Sequence, residues 1–147
     1  MSEEMMSSSA AITVFIIGII LCILLIVAKW KIFTKAGIAG WKSLIPIYNV
    51  YLQYKISGLS FWKWSVLPIL VGSVFVSLAG ENPSGINILW FLIGLAILIF
   101  ADIKFNLQFA KAFGKGVGFA LGLIFLPNIF QLILGYGSAQ YVGNKQN

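Results

Sequence analysis

Ala10 to Ala28 reads AAITVFIIGIILCILLIVA, an apolar run without a single charged residue. At about 1.5 Å per helical residue, it matches a hydrocarbon core of roughly 30 Å. Such a run can cross a bilayer alone, so it sets the class of the whole chain as an all-α integral membrane protein. Composition agrees with this. Of 147 residues, 60% are hydrophobic and 10% charged, against roughly 45–50% and 25% in soluble domains. Met1 to Ser9 hold Glu3 and Glu4 and no lysine, so the run lacks the positive flank of a cleavable signal peptide. The first span is expected to stay attached, with its N-terminus outside.

Working outward, Phe61 to Ala79 is apolar apart from Lys63, which can snorkel from its start, and it ends at the turn-forming Gly80-Glu81-Asn82-Pro83-Ser84-Gly85. Ile86 to Ala101 gives a third span and Val117 to Tyr141 a fourth. The prediction is a four-helix membrane bundle in a single domain over residues 1–147, with connections too short for a second, soluble domain.

Lysine placement orients it. Lys29, Lys31, Lys35, Lys42, Lys55 and Lys63 lie around the first connection, and Lys104, Lys111 and Lys115 around the third, opposed only by Asp102. Short lysine-rich loops stay cytoplasmic, so both termini are expected outside a bacterial cytoplasmic membrane, with Lys145 alone against the bias. The net charge of +6 then suits anionic headgroups, at about 1 kcal/mol per lysine near the surface. Nucleic acid is not an expected partner, because the lysines hug the bilayer and there is no arginine to read bases.

Residues 41–57, WKSLIPIYNVYLQYKIS, form an additional amphipathic segment between spans one and two. Lys42, Pro46, Asn49 and Gln53 share one helical face, and Leu44, Ile45, Tyr48, Tyr51 and Leu52 cover most of the rest. With Trp41, Tyr54, Trp62 and Trp64 the segment resembles an aromatic belt at headgroup level. It reads either as an interfacial helix or as a re-entrant one covered by protein. Span three is expected to run on as a cytoplasmic extension, 102–113, because Lys104, Gln108, Lys111 and Lys115 recur at helical spacing. Asp102 and Asn106 sit one turn apart on it. Unpaired charge at a membrane boundary is expensive, so Asp102 is expected to pair with Lys42 or Lys55.

Small residues supply candidate helix contacts. Gly114, Gly118 and Gly122 recur every four residues, as do Gly135, Ala139 and Gly143; such rows let helix backbones approach. Pro127 interrupts span four beside Asn128, with Gln131 one turn on, which reads as a kink glued by amides or as a polar path. Catalytic groups are scarce. Histidine is absent and the one cysteine, Cys22, lies inside the first span, so no metal centre, cofactor or hydrolytic site is expected. Gly114-Lys115-Gly116 lacks the Ser or Thr and the preceding strand of a phosphate loop.

Trp41 to Asn49 (WKSLIPIYN), Phe113 to Phe119 (FGKGVGF) and Leu121 to Pro127 (LGLIFLP) together resemble an uncharacterised family of small bacterial multi-span membrane proteins. They are also similar to the membrane-embedded N-terminal region of some bacterial type I signal peptidases, whose catalytic domain has no counterpart here. The resemblance implies a multi-span bacterial membrane protein and carries over no activity. The expected function is a non-enzymatic membrane protein that associates with itself or a membrane partner, as an accessory or regulatory subunit. The alternative is a small channel or transporter, which needs Asp102, Asn106, Asn128 and Gln131 to converge on a wet cavity.

Overall fold

The computed structural model describes residues 2–80 and 84–143, of which residues 2–7 by backbone alone. Glu81, in the expected turn, and Lys145 lie outside the described residues. Within them the chain is all-helical, with α1 Ser2–Lys35, α2 Pro46–Ile56, α3 Leu67–Leu78, α4 Gly85–Ala112, α5 Val117–Phe125 and α6 Pro127–Tyr136. A 3-10 turn, Gly40–Leu44, leads into α2, and a π-helical turn, Trp62–Val66, leads into α3. Two segments, Ser8–Lys35 and Gly85–Ala112, are long and apolar enough to cross a membrane, and Trp62–Leu78 is a shorter apolar helix.

The core sits at one end of the molecule. There Ile32 and Phe33 of α1, Leu52 and Ile56 of α2, Phe109 and Phe113 around the end of α4, and Ala120, Leu123 and Leu134 of the last two helices bury one another. A row of rings, Phe61, Tyr54, Phe105, Phe109, Phe113 and Tyr141, runs through the same end, each 4.5–5.8 Å from the next, which is the spacing at which aromatic pairs attract. From this body project the α3–α4 pair and, apart from it, the first two thirds of α1.

Local chemistry explains the irregular turns. Pro68 has no N–H to give the carbonyl four residues back, and the Tyr54 hydroxyl donates to that carbonyl, Trp64 O, at 3.4 Å. The π-helical turn spans this position. Burial pushes the Tyr54 phenol above its ordinary range, a hydrogen bond with Ser65 opposes this, and the Asp102 charge adds to it. α4 stops where Gly114 takes φ 66° and Lys115 N donates to Ala110 O at 2.9 Å, the left-handed helix stop that favours glycine.

Residues 117–141 are not one span. Leu126 leaves helical geometry at φ −134°, ψ 59°, Pro127 opens a new helix, and the chain folds back so that Phe130 covers Gly122 and meets Phe119 edge-on at 5.0 Å. Val142 N then donates to Ala112 O at 2.8 Å. The pair α5–α6 thus leaves the end of α4 and returns to it. The chain at Val142 lies beside the lysine-bearing end of α4, whereas four full crossings would have put it at the opposite end. The physical reason is that proline disfavours helix in the residue before it, and Gly122 leaves room for a ring to fold over it.

Lys35 ties the return to α1. Its Nζ donates to Leu134 O and Gly137 O, both at 2.7 Å, neutralising carbonyls that the end of α6 leaves unpaired. Lys35→Met keeps the stem and removes both bonds. It is expected to lower stability in detergent by about 1–2 kcal/mol, since charged hydrogen bonds contribute roughly 1.5–3 kcal/mol when buried and less when half-exposed. Thermal unfolding of the two proteins in the same micelle checks this; an unchanged midpoint removes the tie.

Candidate functional site

The amphipathic segment turns part of its polar face inward. Asn49, 7% exposed, is buried alongside Leu52 and Ile56, and Gln53 is half-buried, whereas Ile47 is 81% exposed. Asn49 Nδ2 donates to Ser43 O at 2.7 Å, and Gln53 Nε2 donates to Asn49 Oδ1 at 2.6 Å. This relay holds the 3-10 turn against α2. A trp ring seats the turn on α1, where Gly40 meets Trp30 so closely that no side chain fits between them.

Between α1 and this segment lies an open cavity of about 380 Å³, whose lining includes the polar Lys29, Ser43, Asn49 and Gln53 and the apolar Ile26 and Val50. Lys29 and Gln53 also wall a second space of about 10 Å³, where Gln131 of α6 arrives beside Phe33 and Phe109. Among the described residues, the buried side-chain atoms Ser43 Oγ and Gln131 Oε1 have no hydrogen-bond partner. Of the expected polar residues, Asn49 and Gln131 are therefore brought to one neighbourhood. Lys29, Ser43 and Gln53 complete it; in the sequence Lys29 stands out only as part of the charge bias.

The remaining candidates lie elsewhere. Asp102 lines an apolar groove of about 540 Å³ with Leu98, Ile99 and Ile103 of α4 and Leu121, Ile124 and Phe125 of α5. No lysine ion-pairs with it among the described residues, which corrects the expected link to Lys42 or Lys55. Lys42 lies over the rings of Trp41 and Tyr48, and Lys104, its neighbour on α4, lies over Trp64. Asn106 is buried and donates to the Asp102 carbonyl at 2.9 Å. Asn128 is exposed at the fold-back. Asp102 and Gln131 thus line different cavities, and the four amide and acid groups do not converge.

The glycine row also divides. Gly114 is the α4 stop, outside any helix, and a side chain at Gly118 would meet nothing within 4 Å; the expected common contact face does not exist, because the row spans a turn. Gly122 takes the Phe130 ring. A Cβ at Gly135 would lie 2.7 Å from Ala28 Cα and O. Ala139 follows the end of α6 and packs on the core. Another close helix crossing involves residues the spacing did not mark, Gly72 of α3 and Gly94 of α4, where a Cβ on Gly94 would lie 2.8 Å from Gly72 O. On α1, by contrast, Gly18 has nothing within 4 Å and Cys22, one turn on, is exposed.

No curated protein and no solved structure matches the chain. A family described only as of unknown function, DUF5684, matches residues 64–144, more than half of the sequence, from the π-helical turn through the fold-back. The chain belongs to this family of unknown function.

Proposed function

We propose that the chain is a multi-pass protein of the bacterial cytoplasmic membrane, with no enzymatic activity of its own, that associates through α1 with a second copy or another membrane protein as an accessory subunit. The supporting observation is that α1 is exposed on all sides over residues 8–24, and that Gly18 and Cys22 place small residues on one side of it. Small residues four apart let a second helix approach closely, and nothing among the described residues lies within 4 Å of a Cβ at Gly18. The lack of histidine and the scarcity of acids in the sequence support a non-enzymatic role. α1, the Trp62–Leu78 segment and α4 each cross in this proposal, while α5–α6 enters beside α4 and returns. Three crossings put the N-terminus outside and the end at Val142 inside, with the lysine-rich connections inside as well.

Photo-cross-linking residues placed singly along α1 in native membranes test the association. Adducts to protein are expected at positions 18 and 22 and not at 16 and 20, which lie on the opposite face. Adducts of equal strength all round the helix, or to lipid alone, would defeat the proposal. Orientation is read separately: a cysteine at Ser7 should react with an impermeant maleimide in intact cells, and cysteines at Ser43 and Val142 should not.

A further inference from the structure

We infer that residues 43–50 form a shallow re-entrant tip whose exposed side chains, Leu44, Ile45, Ile47 and Val50, lie among lipid acyl chains in the leaflet on the lysine-bearing side of the membrane. The path of the chain carries this. The 3-10 turn starts at Gly40, against the Trp30 ring. Leu44 and Pro46 then border the open cavity together with Ile26, which belongs to the charge-free run of α1. From there α2 climbs back: Gln53 borders the small space that Ile32 and Phe33 also line, and the Ile56 carbonyl accepts from the Tyr141 hydroxyl at 3.3 Å. Ile26 to Phe33 is about 10 Å along α1 at the helical rise. The segment thus descends beside α1 to its apolar run and returns.

Side-chain chemistry agrees with that depth. Residues 43–54, SLIPIYNVYLQY, hold no charge, and Lys42 and Lys55 bracket them. Ile47 is 81% exposed and Leu44, Ile45 and Val50 are 43–53% exposed, so in water this aliphatic cluster would forgo the gain of apolar burial that acyl chains supply. The amides point the other way. Asn49 Nδ2 satisfies Ser43 O, and Gln53 Nε2 satisfies Asn49 Oδ1. A turn in water needs no such donor, because solvent serves its carbonyls, whereas a turn at membrane depth does. Pro46, at the tip, brings no N–H that would need an acceptor there. Two observations make lipid the occupant: the aliphatic surface is continuous with Ile26 on α1, itself exposed, and the bracketing lysines suit anionic headgroups above the chains.

This inference rests on α1 crossing the bilayer, as proposed for the chain, and one experiment separates the two. The full chain carrying Cys22→Ser is reconstituted in vesicles of phosphatidylglycerol and phosphatidylcholine, with a nitroxide on a single cysteine from Ile20→Cys, Ile47→Cys or Thr34→Cys. All three positions are exposed, so the label does not disturb the core. Ile20 marks the interior of α1 on the face away from Gly18 and Cys22, Thr34 marks its lysine-bearing end, and Ile47 marks the tip. Collision with oxygen relative to a water-soluble nickel chelate is expected to be several-fold higher at Ile47 than at Thr34, and highest at Ile20. A ratio at Ile47 no higher than at Thr34, with Ile20 still shielded from nickel, would place the tip in water or headgroups and overturn this inference alone. A label at Ile47 that neither reagent reaches would mean that protein covers the tip, which also overturns it. Nickel access at Ile20 would overturn the crossing of α1 and the re-entrant tip together.

Discussion

Gly94→Leu is expected to abolish folded protein in mild detergent or to lower its unfolding midpoint more than any other single change on α3 or α4. At this crossing the obstacle is backbone: the new Cβ alone would lie 2.8 Å from Gly72 O and 2.9 Å from Val76, before the rest of the leucine is placed. The Val76 side chain can turn aside, but the Gly72 carbonyl is backbone and cannot, so the pair must separate along its length. Overpacking in a filled core costs about 1–3 kcal/mol, and a backbone obstacle puts this case at the upper end. Gly18→Leu, which meets nothing within 4 Å, should leave the midpoint unchanged. Size-exclusion profiles and thermal melts of both variants decide it; a well-behaved Gly94→Leu would mean that the two helices do not cross where the structure puts them.

Gly135→Leu is the second large effect. Here the obstacle is Ala28, whose Cα and O both lie 2.7 Å from the added Cβ, so α6 must move off α1. That displacement would also take Leu134 O and Gly137 O away from Lys35. The expected loss is on the order of 3 kcal/mol for the contact, with the Lys35 bonds in addition. Gly122→Leu should cost less, because the Phe130 ring it meets can rotate away, whereas Ala28 cannot. The ranking Gly135 above Gly122 above Gly118, measured by melting in one detergent, is the expected order. Equal losses at Gly118 and Gly135 would contradict the packing of α6 on α1.

These glycines show what could be read in the sequence and what could not. The long apolar helices were legible because a charge-free run of that length has few other uses in a folded chain. The polar face of residues 41–57 was legible from its period. Its inward direction was not, since period alone does not say whether water or protein lies on the polar side. Gly114, Gly118 and Gly122 looked like a row because their spacing is helical, yet the first belongs to a turn that ends α4. Gly72 and Gly94 went unmarked because one glycine per helix has no spacing to notice. Pro127 was visible, but proline inside an apolar run reads equally as a kink or as a reversal. The deciding contact, Phe130 on Gly122, is between residues that one continuous helix would keep about 12 Å apart. Lys29 blended into a charge bias that orients the chain, and its place beside Ser43, Asn49 and Gln53 appears only when the neighbouring elements are in position.

The return of α5–α6 to Ala112 also bears on the order in which the molecule can assemble. α1 is made first, but Gly135 of α6, which packs on Ala28, comes more than 100 positions later, and Lys35 finds its acceptors at Leu134 and Gly137. During synthesis α1 is therefore complete, with only the 3-10 turn seated on it, before α6 exists to cover its Ala28 side, and the α3–α4 pair must form without α6. Neither α5 nor α6 is long enough to enter lipid as a spanning unit of its own. α6 thus closes a structure whose other helices are already made, and a chain that stops short of it leaves Ala28 and the Lys35 ammonium without their α6 partners.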